Sequence, residues 1–282
     1  MIDYSKFVEN SRKWLSQYIQ DNHLQSLVIG ISGGIDSTVS CAIAYPICKE
    51  LNIPLIGRSL PTTSNKIDET ITAFKVGETF CNDFKEVPIE NSFDSIFTDL
   101  VLNEGHITPL QKGNIKARLR MIYLRHLAST HKGVVLDNDN FTEWNLGFWT
   151  VGGDSPMDIN LGLHYLWKTE VYELAKYLLL CYDDGVDEEK FQAIRTSINL
   201  TPTDGNGVSS SDCEQFGLDN YEQVDDVLKT VYYSIHTKED YIRLIDSYNE
   251  QGVDKVMSLH QSTEYKRKKL PIKPTKEELE LC

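Results

Sequence analysis

The chain has 282 residues, 40% of them hydrophobic, which is enough for one large domain with a packed core. A formal net charge of −14 argues against a nucleic-acid partner, because phosphate binding needs a surplus of Lys and Arg. Six scattered cysteines without a C-x-x-C pair fit neither a zinc nor an iron–sulfur site, and with no membrane-length apolar run and no signal core, a reduced, cytoplasmic protein is expected.

Phe7, Val8, Trp14, Leu15 and Ile19 recur at helical spacing and predict a first helix over residues 5–22. Short β-like runs then alternate with helical patterns. LVIGI (27–31) precedes a helix from about Asp36, and PLIGRSL (54–60) precedes KIDETITAFKVGETF (66–80). FKEVPI (84–89) precedes helical stretches over 95–104 and 112–130, and GVVLDN (133–138) closes the series. This alternation predicts an α/β fold with a doubly wound, mainly parallel sheet covered on both faces. Pro46, inside the first crossover helix, is expected to kink or shorten it. Beyond about residue 170 the patterns are helical only. A single domain is therefore expected, with an α/β core over about 23–170 and a helical part over about 171–282. The Gly-, Ser- and Asp-rich stretch 201–217 reads as a mobile loop, and the tail KPTKEELELC as solvated.

The first strand runs directly into Gly30-Ile31-Ser32-Gly33-Gly34-Ile35-Asp36-Ser37. Glycines at a strand-to-helix junction let the backbone approach a ligand closely, and the first helical N–H groups favour an anion. The loop lacks the Gly-Lys-Ser/Thr ending of a Walker A sequence, and its glycines miss the G-x-G-x-x-G spacing of dinucleotide folds. It resembles the SGG-x-DS loop of the ATP pyrophosphatases, which cleave ATP between its α- and β-phosphates and activate a substrate oxygen as an adenylate. On that reading Ser32, Ser37 and the loop amides receive phosphates, and Asp36 holds a bridging Mg²⁺.

Several families share this loop, among them GMP, argininosuccinate and asparagine synthetases, tRNA-modifying enzymes and NAD synthetase. Acidity and the missing C-x-x-C weigh against the tRNA modifiers. Gly113-Asn114-Ile115-Lys116-Ala117-Arg118-Leu119-Arg120-Met121 resembles the GN-x-KAR-x-RM segment of NAD synthetase. Glu143, Gly147-Phe148-Trp149-Thr150, Gly153-Asp154, Asp158, the run from Lys168 to Ala175, Pro202-Thr203, Ser211-Asp212, Gly217 and Lys266-Arg267 follow that family's order.

The resemblance spans nearly the whole chain. It implies an adenine nucleotide alpha-hydrolase-like, Rossmann-like core, and an enzyme that amidates deamido-NAD with ATP and ammonia, giving NAD⁺, AMP and pyrophosphate. It further implies that residues 30–37, Asn138, Lys168 and Thr203 meet ATP, that Asp36 and Glu143 hold Mg²⁺, and that Asp36 and Lys168 act in catalysis. Arg118, Val151, Asp158, Tyr265 and Lys266 fall at positions for deamido-NAD. A homodimer is implied. With the loop starting at residue 30 there is no room before it for a glutamine-hydrolysing domain, so free ammonia is the expected donor.

Four departures stand out. Asp137-Asn138 replaces Gly-Thr, Val151 replaces a Lys, Tyr265-Lys266 replaces His-Lys, and Asp212-Cys213 replaces Asp-Glu. One cation lost and one carboxylate gained near a polyanion are expected to weaken binding, by about 1–3 kcal/mol per lost charge-assisted contact. Two alternatives stay open: an adenylating amidotransferase for another carboxylate, and a nucleotide-binding protein with weakened catalysis.

Overall fold

The computed structural model describes residues 2–183, 187–203, 207, 211–233, 237–268 and 274–281. In chain order the elements are α1 (Tyr4–Asp21), β1 (Ser26–Gly30), α2 (Ile35–Glu50), β2 (Leu55–Ser59), α3 (Ile67–Phe80) and β3 (Asp83–Glu86). Then come α4 (Glu90–Glu104), α5 (Pro109–Thr130), β4 (Gly133–Asp137), α6 (Phe141–Leu146) and the two-residue β5 (Ile159–Asn160). The rest is helical: α7 (Lys168–Cys181), α8 (Glu188–Ile198), α9 (Asp212–Phe216), α10 (Tyr221–Tyr233), α11 (Lys238–Ser247) and α12 (Glu250–Ser262).

All five strands are parallel, in the order β3-β2-β1-β4-β5. Strand residues alternate between two apolar layers. Leu27, Ile29, Leu55 and Leu136 face the layer that holds α1, α2 and α7, while Val28, Ile56 and Val135 face Leu119 and Leu124 of α5. The expected doubly wound sheet is therefore present. The chain reverses its direction of travel across the sheet between β1 and β4, and a ligand crevice forms beyond the strand ends at such a point.

The helical C-terminal stretch divides. Val171 and Leu174 of α7 and Ala193 and Ile194 of α8 share the core cluster of Leu27, so both helices belong to the sheet's own layer. A separate cluster joins Leu146 of α6, Trp167 and Phe216 to Val224 of α10, Leu244 of α11 and Val253 of α12.

Two sequence expectations are corrected. α2 continues to Glu50 although Pro46 lies inside it. Proline supplies no N–H for the carbonyl four residues back, that of Ala42. Arg12 of α1 donates there from Nη2 at 3.1 Å, and from Nε to Ile43 O at 3.3 Å, so the helix loses no partner. The tail is not wholly solvated either: Leu279 is buried beside Phe7 and Gly162. No helix among the described residues is long and apolar enough to cross a membrane.

Candidate active site

The crevice is a cavity of about 500 Å³. Its floor is the β1–α2 loop, where Gly30, Ile31, Ser32, Gly34, Ile35, Asp36 and Ser37 line it. Gly33 does not line the cavity but makes the turn. Its φ of +87° suits glycine, and a Cβ there would lie 2.5 Å from Glu69 O and 2.8 Å from Ala73 N. Gly34 is the N-cap of α2, and the Ser32 hydroxyl accepts from its N–H at 3.2 Å. The Ser37 hydroxyl donates to Gly34 O at 3.1 Å. The result is a turn tightened from within whose mouth is the N-terminal end of a 16-residue helix, where unpaired amides attract anions.

Opposite the loop lies α6, whose first turn is closed by a capping box. Asn140 Oδ1 accepts from Glu143 N at 3.0 Å, and the Glu143 carboxylate accepts from Asn140 N at 3.3 Å. The Asn140 amide also donates to Asp36 Oδ1 at 2.8 Å, so one side chain orients both acids. Their remaining oxygens converge on Lys168, whose Nζ lies 2.5 Å from Asp36 Oδ2 and 2.9 Å from Glu143 Oε1. Burial opposes the Lys168 charge, but Asp36 and Glu143 outweigh it and hold the ammonium well above an ordinary lysine. Burial pushes Glu143 up to about 7, against the pull of Lys168 and with the help of Asp36. The Lys168 backbone is fixed in turn. Its N–H donates to Thr142 Oγ1 at 2.8 Å, and Thr142 and Thr169 both donate to buried Asp225.

The remaining residues singled out in the sequence divide in two. Asn138, Thr203, Arg118, Val151, Tyr265 and Lys266 all line the cavity. Asn138 donates to Gly30 O at 3.2 Å, bridging the ends of β1 and β4. Thr203 donates to Glu69, Arg118 to Val151 O at 3.3 Å, and Lys266 to Gly147 O and Trp149 O at 2.6 and 2.5 Å. Burial lowers the Lys266 pKa. Asp158 is not brought to this cavity. Its carboxylate accepts from Val135 N at 2.8 Å and pairs with Arg125, which ties it to the sheet. In the stretch 201–217, Asp212–Phe216 forms a short helix, and residues 204–206 and 208–210 lie outside the described residues.

Asp137 corrects a further expectation. Its charge is not presented to the cavity, because the side chain is fully buried and enclosed by protein donors. Met157 N donates to it at 2.7 Å, Asp139 N at 3.0 Å, Ser155 Oγ at 3.1 Å and the Asn160 amide at 3.2 Å. His164 Nε2 lies 3.1 Å from Oδ1. The ligand atoms of Asp137, Asp139 and His164 lie within 4.8 Å of one another, but two of the three are committed to this pair. Asp139 does line the cavity, with its carboxyl held well above the usual range by burial and by Asp137, Glu143 and Asp154.

The sequence reading missed Asn140, which ties Asp36 to Glu143. The signal was available: Asn140-Phe-Thr-Glu143 is a capping-box pattern that places Glu143 and the Asn140 side chain at one helix start.

Comparison with known proteins agrees in extent. The family model described as NAD synthase matches residues 7–270. The NH(3)-dependent NAD(+) synthetase of Thermoplasma volcanium is 30% identical over 269 residues, covering 95% of this chain and 97% of that one. That of Finegoldia magna is 32% identical over 80% of this chain and 85% of its own length. Among solved structures, the NMN synthetase of Francisella tularensis shares the fold with a TM-score of 0.75 at 24% identity, covering 98% of this chain and all of that one.

Proposed function

Because the chain belongs to the NAD synthase family and is a ligase, we propose that it amidates deamido-NAD with ATP and free ammonia, forming NAD⁺, AMP and pyrophosphate. The observation that carries this reading is the Ser32–Ser37 loop opening onto a cavity where Asp36, Glu143 and Lys168 meet. A nicotinate carboxylate oxygen attacks the α-phosphorus, and the bond from that phosphorus to pyrophosphate breaks. Ammonia then attacks the acyl carbon of the adenylate, AMP departs with the C–O electron pair, and the surplus proton passes to solvent. Activation supplies the leaving group, so the protein's work is positioning and charge neutralisation.

The α2 amides and the Ser32 and Ser37 hydroxyls hold phosphate oxygens, and Lys168 offsets their charge. All of Asn138, Thr203, Arg118, Val151, Tyr265 and Lys266 line the cavity; in this reading Asn138 and Thr203 serve ATP, and Arg118, Val151, Tyr265 and Lys266 serve the acceptor. Two carboxylates with converging oxygens suit a hard divalent ion, so Asp36 and Glu143 would hold Mg²⁺. When bound, that ion would neutralise phosphate charge. We assign the enzyme to the cytoplasm and to a homodimer. The exposed Leu102 of α4 and Leu110 and Ile122 of α5 support the dimer, since Leu110 also borders the cavity.

One observation favours a second acceptor. Val151 puts no cation at the cavity's edge, and Lys266 is already engaged by two carbonyls, so fewer charges are free for a second phosphate. An acid mononucleotide, with a single phosphate, suits that set, and the chain shares its whole fold with a protein described as an NMN synthetase. An end-point assay decides. With ATP, Mg²⁺ and ammonium, deamido-NAD is expected to give NAD⁺, AMP and pyrophosphate in equal amounts, all three strongly slowed by Asp36→Ala. Turnover of nicotinate mononucleotide alone would move the enzyme to the second acceptor, and no pyrophosphate with either would sink both.

A further inference from the structure

The point at which Asp36 Oδ2 and Glu143 Oε1 converge is filled by the enzyme's own cation. Lys168 Nζ lies at hydrogen-bond distance from both, 2.5 and 2.9 Å. Asn140 fixes Asp36 through its other oxygen and Glu143 through the capping box, so the two acids aim at one place whether or not a ligand is present. An ammonium and a divalent ion cannot share that place, since both would need the same oxygens and would repel each other at close range.

The lysine backbone cannot yield, because Thr142, Thr169 and Asp225 hold it from below. The side chain can, having four rotatable bonds. Once the Nζ leaves the carboxylates, the anionic groups of a nucleotide on the neighbouring Ser32–Ser37 loop are the partners within reach.

We propose that Lys168 keeps the divalent-cation site shut in the nucleotide-free enzyme, and that nucleotide phosphates open it by drawing the ammonium away. The cation then enters with the nucleotide rather than ahead of it. This rests on the assignment of Asp36 and Glu143 as the cation's ligands, and it adds a further role for Lys168. The lysine excludes the metal before it serves the phosphates, so an empty enzyme carries no bound divalent ion at cellular concentrations.

Direct binding of Mn²⁺ to the whole nucleotide-free chain, followed by the loss of its free electron paramagnetic resonance signal, tests the idea without any turnover. The native enzyme is expected to bind weakly, and Lys168→Met at least tenfold more tightly, because the competitor is gone and two carboxylates remain. Lys168→Gln, which retains a donor between the acids without a charge, is the second variant should the methionine destabilise the fold, and it is expected to tighten binding in the same direction. Adding Asp36→Asn to either variant is expected to abolish the gain. Equal Mn²⁺ affinity in native enzyme and both variants, with Asp36→Asn weakening all of them, would overturn the exclusion while keeping the carboxylates as ligands. Tight binding that Asp36→Asn leaves untouched would overturn the ligand assignment itself, and the exclusion with it.

Discussion

Two clusters of paired charges stand at the carboxyl ends of neighbouring strands, and they differ in how their oxygens are used. At the end of β4, Asp137 accepts from two backbone N–H groups, a hydroxyl and an amide, and faces His164, all supplied by the fold. Beyond β1, Asp36 and Glu143 keep one oxygen each for a lysine whose side chain borders a cavity. Asp137 and His164 are fully buried, while Asp36 and Glu143 keep 14% and 15% of their side chains exposed at the cavity, a difference of degree that does not by itself separate structure from chemistry. Completeness does. A carboxylate whose acceptors are filled by fixed groups can only hold the fold, whereas one that shares a single mobile cation can exchange it.

The strongest way to break this comparison is at the open cluster. Asp36→Ala removes half of the convergent pair and leaves Lys168 facing Glu143 alone. It is expected to lower turnover by about 100- to 1,000-fold or more while the enzyme stays folded. Circular dichroism and the end-point assay on one preparation check both halves. Full activity would take Asp36 out of the reaction.

At the closed cluster the expected loss is in stability. Asp137→Ala strands His164 and the backbone N–H groups of Met157 and Asp139, at a cost of about 3–5 kcal/mol. Urea unfolding measures it, and His164→Leu in the same chain should recover part of it. Asp137→Asn should leave the KM for ATP unchanged. A clear fall in that KM would mean that the carboxylate opposes the phosphates after all.

A smaller effect belongs to the helix that carries the loop. Arg12→Ala leaves the carbonyl of Ala42 without a donor, at about 1–2 kcal/mol. Adding Pro46→Ala restores an N–H for Ala42 and should cancel most of that cost. If the double variant is no more stable than Arg12→Ala alone, Arg12 acts elsewhere.

The same division separates what could be read in the sequence from what could not. The alternation of strands and helices follows from local pattern, and the Ser32–Ser37 loop from glycine placement at a strand end, so both were legible. The fate of Asp137 was not, because the residue that answers its charge lies 27 positions away and reaches it only through the fold. Asp158 is alike in that its carboxylate is taken up by Val135 and Arg125 and does not line the cavity, which its place in the sequence does not reveal. Pro46 does not shorten its helix, because Arg12 compensates from another helix. Local chemistry was visible wherever a motif is contiguous, and hidden wherever its partner is tertiary.

The smallest expected effect lies at the cavity's edge. Val151 is 36% exposed, and Arg118 already donates to its carbonyl, so the backbone there is held independently of the side chain. Val151→Lys therefore adds a cation without moving the loop. In so wet a position its attraction for an acceptor phosphate is worth only about 0.2–1 kcal/mol, a few-fold fall in KM for the anionic acceptor. The gain should fade as salt shortens the screening length to about 3 Å at 1 M. Measuring KM for deamido-NAD and for nicotinate mononucleotide at low and high salt separates two effects. A gain confined to the dinucleotide would place a second phosphate beside residue 151, and an equal gain for both would show that the lysine acts on the phosphate they share.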